Sequence, residues 1–134
     1  MGDDPMAGDG LDESLRQQSA RTKALVEKLL QSQPREALAE ALKNPPYAVS
    51  DAMRDTAAQI VLKVVGTFRE ADVKSAVAAL GEDERGVLMK YLYRFWAMGL
   101  PSRTNAQLFT WHSALVEICG EGVIVQAMYD RRWP

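Results

Sequence analysis

The only histidine and the only cysteine of the 134-residue chain, His112 and Cys119, are the first candidates for chemistry. A cysteine nucleophile needs a histidine within hydrogen-bond reach. Seven residues of helix would separate the two by about 10 Å along the axis, which is too far. One residue of each type also cannot form a zinc site of standard ligand spacing. The pattern favours Cys119 as a small core residue and His112 as a surface or hydrogen-bonded residue, and we expect no catalytic residue, cofactor or metal.

Two further patterns resemble chemical motifs only weakly. Gly120-Glu121-Gly122 precedes a helical segment, as phosphate-binding loops do, but no strand leads into it and no third glycine follows. It is therefore predicted to be a turn between helices. The acidic residues Glu82, Asp83 and Glu84 open another segment, where carboxylates favour the helix dipole, so they predict a solvated helix start rather than a metal site.

Aromatic residues and arginines in the second half of the chain suggest contacts with other proteins. Arg131, Arg132 and Trp133 are of the types enriched where partners bind, although a tail folded onto its own domain is an equal alternative. Tyr91 and Arg94 belong to a helix with aromatic residues on more than one face. Such a helix is either deeply buried or touches something else.

Composition limits the class of protein. Hydrophobic residues make up 47% and charged residues 25%, and the net charge is -2, which predicts a globular protein that does not bind nucleic acid. No apolar run approaches the roughly 20 residues that cross a bilayer, and the N-terminus lacks the pattern of a secretory signal. We therefore expect no membrane partner and a location in the cytoplasm. Residues 1–10 are predicted to be disordered and acidic, and residues 11–134 to form a single helical domain.

Apolar residues repeat at intervals of three and four along most of the chain, which predicts about seven short helices and no sheet. The run IVLKVV at residues 60–65 could form a buried strand by itself. It is predicted to be helical because no turn residue precedes it and Lys63 falls on the polar side of the helical period. Short links between helices favour packing of sequence neighbours as stacked pairs, so the expected fold is an all-α, α-α superhelix.

The motif Leu42-Lys43-Asn44-Pro45-Pro46 predicts a firm helix stop. Asparagine tolerates the left-handed conformation that ends helices, and a proline disfavours helical geometry in the residue before it. The two prolines are expected to fix the angle between the helices on either side.

Several motifs occur together in one order: ALKNPPY, IVLKVV, VLMKYLYRF, the Trp-His pair of FTWHSAL and a final helix bounded by glycine. In this the chain resembles subunit 5 of the actin-related protein 2/3 complex, its small all-helical subunit. The resemblance covers residues 38 to about 128 and implies a non-catalytic scaffold subunit with an α-α superhelix fold. It places the protein at the actin cytoskeleton, in an assembly that nucleates branched filaments.

The resemblance also implies partners. In the family the helical body docks on the propeller subunit and a neighbouring scaffold subunit, and an N-terminal arm reaches actin-related protein 2. The expected partner-binding residues of this chain lie in its later helices and tail, and the same surface could drive self-association of the isolated chain. They are Tyr91, Arg94, Trp111, His112, Arg131 and Trp133. A free-standing helical adaptor outside that complex is the alternative, and a small enzyme is disfavoured by the residue inventory.

Overall fold

The computed structural model describes residues 5–43, 50–130 and 132–134, with side chains from Glu13 onward except that of residue 15. These residues form seven α-helices and contain no strand, which confirms the predicted all-α class. The helices are α1 (Pro5–Ser32), α2 (Pro34–Leu42), α3 (Asp51–Thr67), α4 (Glu70–Ala79), α5 (Glu82–Ala97), α6 (Ser102–Cys119) and α7 (Gly122–Tyr129).

Helices pack both against sequence neighbours and across intervening helices. The helix pairs α1–α2 and α2–α3 pack as sequence neighbours, while α1–α3, α3–α5, α4–α6 and α5–α7 pack across one intervening helix. Contacts of this kind let short helices, which are marginal alone, bury their apolar faces against each other.

Helix α1 begins at Pro5, inside the segment 1–10 for which disorder was predicted, and earlier than the predicted start at Leu11. Its later part carries the packing residues, because Val26 is buried and Leu29 and Leu30 are partly buried against the core. The described side chains before Val26 are exposed or partly exposed. The division of the chain into a disordered segment and a single domain stays a prediction.

The chain leaves helix α2 where the sequence predicts. Leu42 is the last helical residue and is buried, and Lys43 is extended, with its backbone N–H donating to the carbonyl of Glu40 at 3.3 Å. Asn44, Pro45 and Pro46 lie outside the described residues, so their role in fixing the corner stays a prediction. Helix α3 then starts from Ser50, whose hydroxyl accepts the backbone N–H of Met53 at 3.4 Å.

The core is centred on α3, α5 and α6. The segment IVLKVV is helical within α3, with three buried valines, and Lys63 is exposed as the periodicity predicts. The indole of Trp111 on α6 contacts Phe68 edge to face at a centroid distance of 5.2 Å. Its Nε1–H donates to the carbonyl of Val65 at 3.2 Å, so the largest core side chain is also satisfied as a donor.

Two glycines lie at helix boundaries, one at the end of α6 and one at the start of α5. Gly120 follows α6 with φ of 77°, a conformation that favours glycine, and there the chain turns so that α6 and α7 form an angle of 110°. Gly81 has φ of -73° and is the N-cap residue of α5. Helix α4 ends one residue earlier through an extended Leu80.

Candidate protein-interaction surface

His112 and Cys119 both lie on α6 but have different environments. His112 is partly exposed and packs against the rings of Trp96 and Tyr93, at centroid distances of 5.4 and 6.2 Å. Cys119 is partly buried at the last helical residue. Within the described part of the chain, no group of three or more His, Cys, Asp or Glu residues could hold a metal ion.

The two weak motifs have structural roles. Gly120-Glu121-Gly122 forms the turn into α7, as predicted from the missing strand and third glycine. Glu84 lies in the first turn of α5, where its carboxylate accepts the backbone N–H of Gly81 at 3.3 Å. It thereby satisfies one of the amide donors that a helix start leaves without a partner.

Tyr91 and Trp111, two of the expected partner-binding residues, are core residues. Each side chain is about 1% exposed, and Tyr91 stacks on Phe95 one turn further along α5. Their placement corrects the expectation that these aromatics belong to an exposed patch. The physical reason is that α5 is packed by α2, α3, α6 and α7, so it buries more than one of its faces.

Arg94 is held by contacts within the chain. Its Nη2 pairs with Oδ1 of Asp55 on α3 at 2.5 Å, and its Nη1 donates to the backbone oxygen of Pro134 at 3.2 Å. Pro134 is buried and Trp133 is partly buried, so the tail lies back on its own domain. This was one of the two alternatives that the sequence left open. Arg131 lies outside the described residues.

A second ion pair fixes the start of the tail. Lys90, one turn before Arg94 on α5, is only 4% exposed and pairs with the carboxylate of Asp130. The hydrogen bond from Lys90, followed by those from the backbone and side chain of Arg132, holds the pKa of the Asp130 carboxyl well below its ordinary value. Sequence periodicity did not identify this pair, because a lysine next to Tyr91 carries no sign of its distant partner.

An aromatic cluster covers the junction of α5 and α6. Trp96 is tilted against Phe109 at a centroid distance of 4.8 Å and contacts Tyr93 edge to face at 5.5 Å. His112 completes this cluster. Phe109 is 58% exposed, so the cluster has one open side.

The outward face of α7 is the densest group of exposed apolar side chains among the described residues. Val125, Met128 and Tyr129 are 52%, 67% and 83% exposed, and their spacing of three and four places them on one side of the helix. Val123 and Ala127 are buried on the opposite side. The sequence analysis did not predict this exposed face. The signal that could have predicted it is the composition of α7, which is apolar on more sides than one neighbouring helix can cover.

Among the described residues, no single helix is both long and apolar enough to cross a membrane. The bent pair of α6 and α7 passes the same length and composition test only when the two are taken together. Leu108, Trp111, Ala114 and Leu115 of α6 are buried within the domain, which accounts for its apolar composition.

These features define a small all-helical protein with a packed core and an outward apolar helix, a form suited to binding other proteins. The family model of the ARP2/3 complex 16 kDa subunit (p16-Arc) matches residues 4–133. The chain therefore belongs to the p16-Arc family.

Relatives agree with that assignment. The chain is 34% identical over 114 residues to actin-related protein 2/3 complex subunit 5 of Dictyostelium discoideum, covering 84% of this chain and 80% of that one. It is 34% identical over 97 residues to the protein named probable actin-related protein 2/3 complex subunit 5 of Caenorhabditis elegans, covering 72% of this chain. It is also 34% identical over 98 residues to subunit 5-C of Xenopus laevis, covering 72%. The matches span 66% and 64% of those two relatives' lengths.

Proposed function

We propose that this chain is a non-catalytic structural subunit of an actin-related protein 2/3 complex and acts in the cytoplasm, at the actin cytoskeleton. Its role there is to support the nucleation of branched actin filaments. The observation that carries the proposal is the family match along nearly the whole chain, from residue 4 to residue 133. The all-helical fold supports the same role, because its core is filled by packed apolar and aromatic side chains such as Phe95 and Trp111.

The partners in this proposal are other subunits of the complex. By resemblance they are the propeller subunit, a neighbouring scaffold subunit and actin-related protein 2. An assembly of this kind is held by apolar surfaces that a subunit leaves open until it docks.

The outward face of α7, formed by Val125, Met128 and Tyr129, is the docking surface we propose. Aromatic and methionine side chains are enriched at the centres of protein interfaces, and here they project from a helix anchored on its other side by Val123 and Ala127. An anchored helix loses little conformational freedom on docking, which favours binding. His112 and Trp133, both partly exposed, are proposed to lie nearer the edge of the contact.

Co-purification from the native cell tests the proposal. The tagged chain should recover actin-related proteins and a propeller subunit in stoichiometric amounts. Recovery of unrelated proteins without them would instead establish a free-standing helical adaptor.

The docking surface needs its own variants. Tyr129→Ala should lower incorporation into the complex, because it removes the most exposed aromatic residue of the face, while helicity measured by circular dichroism stays unchanged. Met98→Ala is the matched control, since Met98 is also an exposed apolar residue but lies beyond the far end of α5. If Tyr129→Ala assembles as the parent does, α7 is not the docking helix, and the part of α1 around Leu25 to Leu30 becomes the next surface to test.

A further inference from the structure

A cavity of about 330 Å³ lies where the start of α4 packs against α6, and we call it the α4–α6 cavity. Buried and partly buried apolar residues form one part of its lining. Among them, Phe68 and Trp111 contact each other edge to face at a centroid distance of 5.2 Å. The indole Nε1–H of Trp111 already donates to the carbonyl of Val65, so this ring offers the cavity only apolar surface.

Two arginines bring positive charge to the same cavity from different helices. Arg69 is the N-cap residue of α4, and Arg103 is the second residue of α6. Both are exposed, and neither makes an ion pair with any side chain that the structure describes. Further along the same two helices, Lys74 of α4 is paired with Glu117 of α6 at 2.6 Å. The arginine end of this helix interface therefore has cations that the other end would neutralise.

The charge of this cavity distinguishes it from the other cavities of the described chain. Its described lining residues carry a net charge of +1, from two arginines and the carboxylate of Glu70. The groove between α1 and α3, of about 510 Å³, has two lysines and two carboxylates. A cavity beside Lys74 has two carboxylates and one lysine. Another, between α3 and α6, has Lys63, which is already paired with Glu27. The α4–α6 cavity is thus the one suited to an anionic group.

We propose that the α4–α6 cavity binds an acidic segment of a partner protein, with a carboxylate held by Arg69 and Arg103. Guanidinium groups bind carboxylates through paired N–H···O bonds, which supply orientation as well as attraction. The apolar part of the lining accommodates the methylene groups of the same side chain, and the amide of Gln107 is a further donor. A volume of about 330 Å³ is at the lower end for ligand sites, so it fits side chains of an extended segment rather than a helix.

The charge balance favours a carboxylate over other anions. A carboxylate has one negative charge, which matches the net charge of the lining. A phosphate monoester carries about -1.5 to -2 and would be repelled more strongly by Glu70. A membrane presents a plane of headgroups, which does not fit a concave site. The proposal concerns α4 and α6, and it does not rest on the role in the complex or on the docking surface of α7.

Fluorescence anisotropy with the full-length protein and a labelled peptide of four glutamates tests the proposal. The peptide should bind at low ionic strength and more weakly as salt is added, because the arginines are exposed. The net charge of -2 disfavours its binding elsewhere on the protein. A peptide of four glutamines with the same label is the control and should bind at least about tenfold more weakly. Equal binding of the two peptides would overturn the proposal.

Single substitutions locate the binding site. Arg69→Gln and Arg103→Gln should each weaken binding of the glutamate peptide by about tenfold, because each removes a charged donor. Arg16→Gln, on the exposed first half of α1, changes the net charge equally and should leave binding unchanged. Glu70→Gln should tighten binding by about threefold, because it removes the carboxylate that repels the peptide. Circular dichroism should show the same helicity for all four variants. Equal losses in Arg16→Gln and the cavity variants, or unchanged binding in Glu70→Gln, would exclude the cavity as the site.

Two further probes test the other sources of negative charge. Inorganic phosphate should displace the glutamate peptide no better than sodium chloride at the same ionic strength. Vesicles that contain phosphatidylserine should not retain the protein. Displacement by phosphate beyond the effect of salt, lost in Arg69→Gln, would assign the cavity to phosphate groups instead. Retention on vesicles that is lost in the same variant would assign it to a membrane surface, and either result would overturn the proposal.

Discussion

Helices α6 and α7 follow each other directly and are both rich in apolar residues, yet they use them in opposite ways. Helix α6 packs against α3, α4, α5 and α7 and buries one continuous stripe, which includes Leu108, Trp111 and Leu115. Helix α7 packs mainly against α5 and α6 and buries only Val123 and Ala127. Apolar character alone therefore does not decide burial. Burial depends on how many neighbouring helices the fold places around a helix. Helix α7 has fewer neighbours, so one of its apolar faces is exposed.

The largest expected loss of stability comes from the buried face of α6. Trp111→Ala should lower the free energy of unfolding by about 3 to 5 kcal/mol, because it leaves a cavity against Phe68 and removes the hydrogen bond to Val65. Phe109→Ala, two residues earlier and 58% exposed, should cost about 1 kcal/mol or less. Urea denaturation of both variants measures the difference. Similar losses for the two would mean that α6 does not divide into a core face and an open face.

The second effect concerns the turn that separates the two helices. Gly120 has φ of 77° and ψ of 176°, and an added Cβ would meet nothing within 4 Å, so the cost of Gly120→Ala is confined to the backbone. We expect a loss of about 1 to 3 kcal/mol. Gly122→Ala is the control, because Gly122 is helical and uncrowded, and it should be neutral or stabilising by about 1 kcal/mol. Thermal unfolding of both proteins measures this, and a neutral Gly120→Ala would contradict the assigned turn.

The contrast between these helices also shows how far the sequence leads. Apolar repeats of three and four correctly predicted that most of the chain is helical, and a helix surrounded by neighbours, as α6 is, buries what its 3.6-residue repeat lines up. Periodicity likewise predicted the helical state of IVLKVV, and the LKNPP motif predicted the stop after Leu42. These outcomes depend on local geometry, which the sequence contains directly.

Long-range contacts are different. The pairing of Arg94 with Asp55 joins residues 39 apart, and that of Lys90 with Asp130 joins residues 40 apart. Both depend on the angles between helices, which no local pattern encodes. The same limitation put Tyr91 among the expected surface residues, although four neighbouring helices bury α5.

The third prediction uses pH to test the ion pair between Lys90 and Asp130. The pKa of Asp130 is lowered in the folded protein from an ordinary value of 3.8, so its contribution to stability is present above that value and is lost as the pH falls toward the folded pKa. The difference in stability between the parent and Asp130→Asn should be constant from about pH 5 to 8 and shrink below about pH 4. Urea denaturation across this range measures it. A difference that persists unchanged to pH 3, or that is absent at pH 7, would exclude the Lys90 pair as its source.

The smallest effect on stability is expected on the open face of α7, and its small size is the informative result. Met128→Ala and Tyr129→Ala remove exposed side chains and should change the free energy of unfolding by no more than about 0.5 kcal/mol. Val123→Ala, on the buried side of the same eight-residue helix, should cost about 1 to 3 kcal/mol. If the exposed substitutions destabilise the isolated chain as much as the buried one, the outward face already packs against the domain in solution. If only Val123→Ala lowers the free energy of unfolding, Met128 and Tyr129 do not contribute to folding. Any loss of assembly in the Met128→Ala or Tyr129→Ala variant is then a loss of binding.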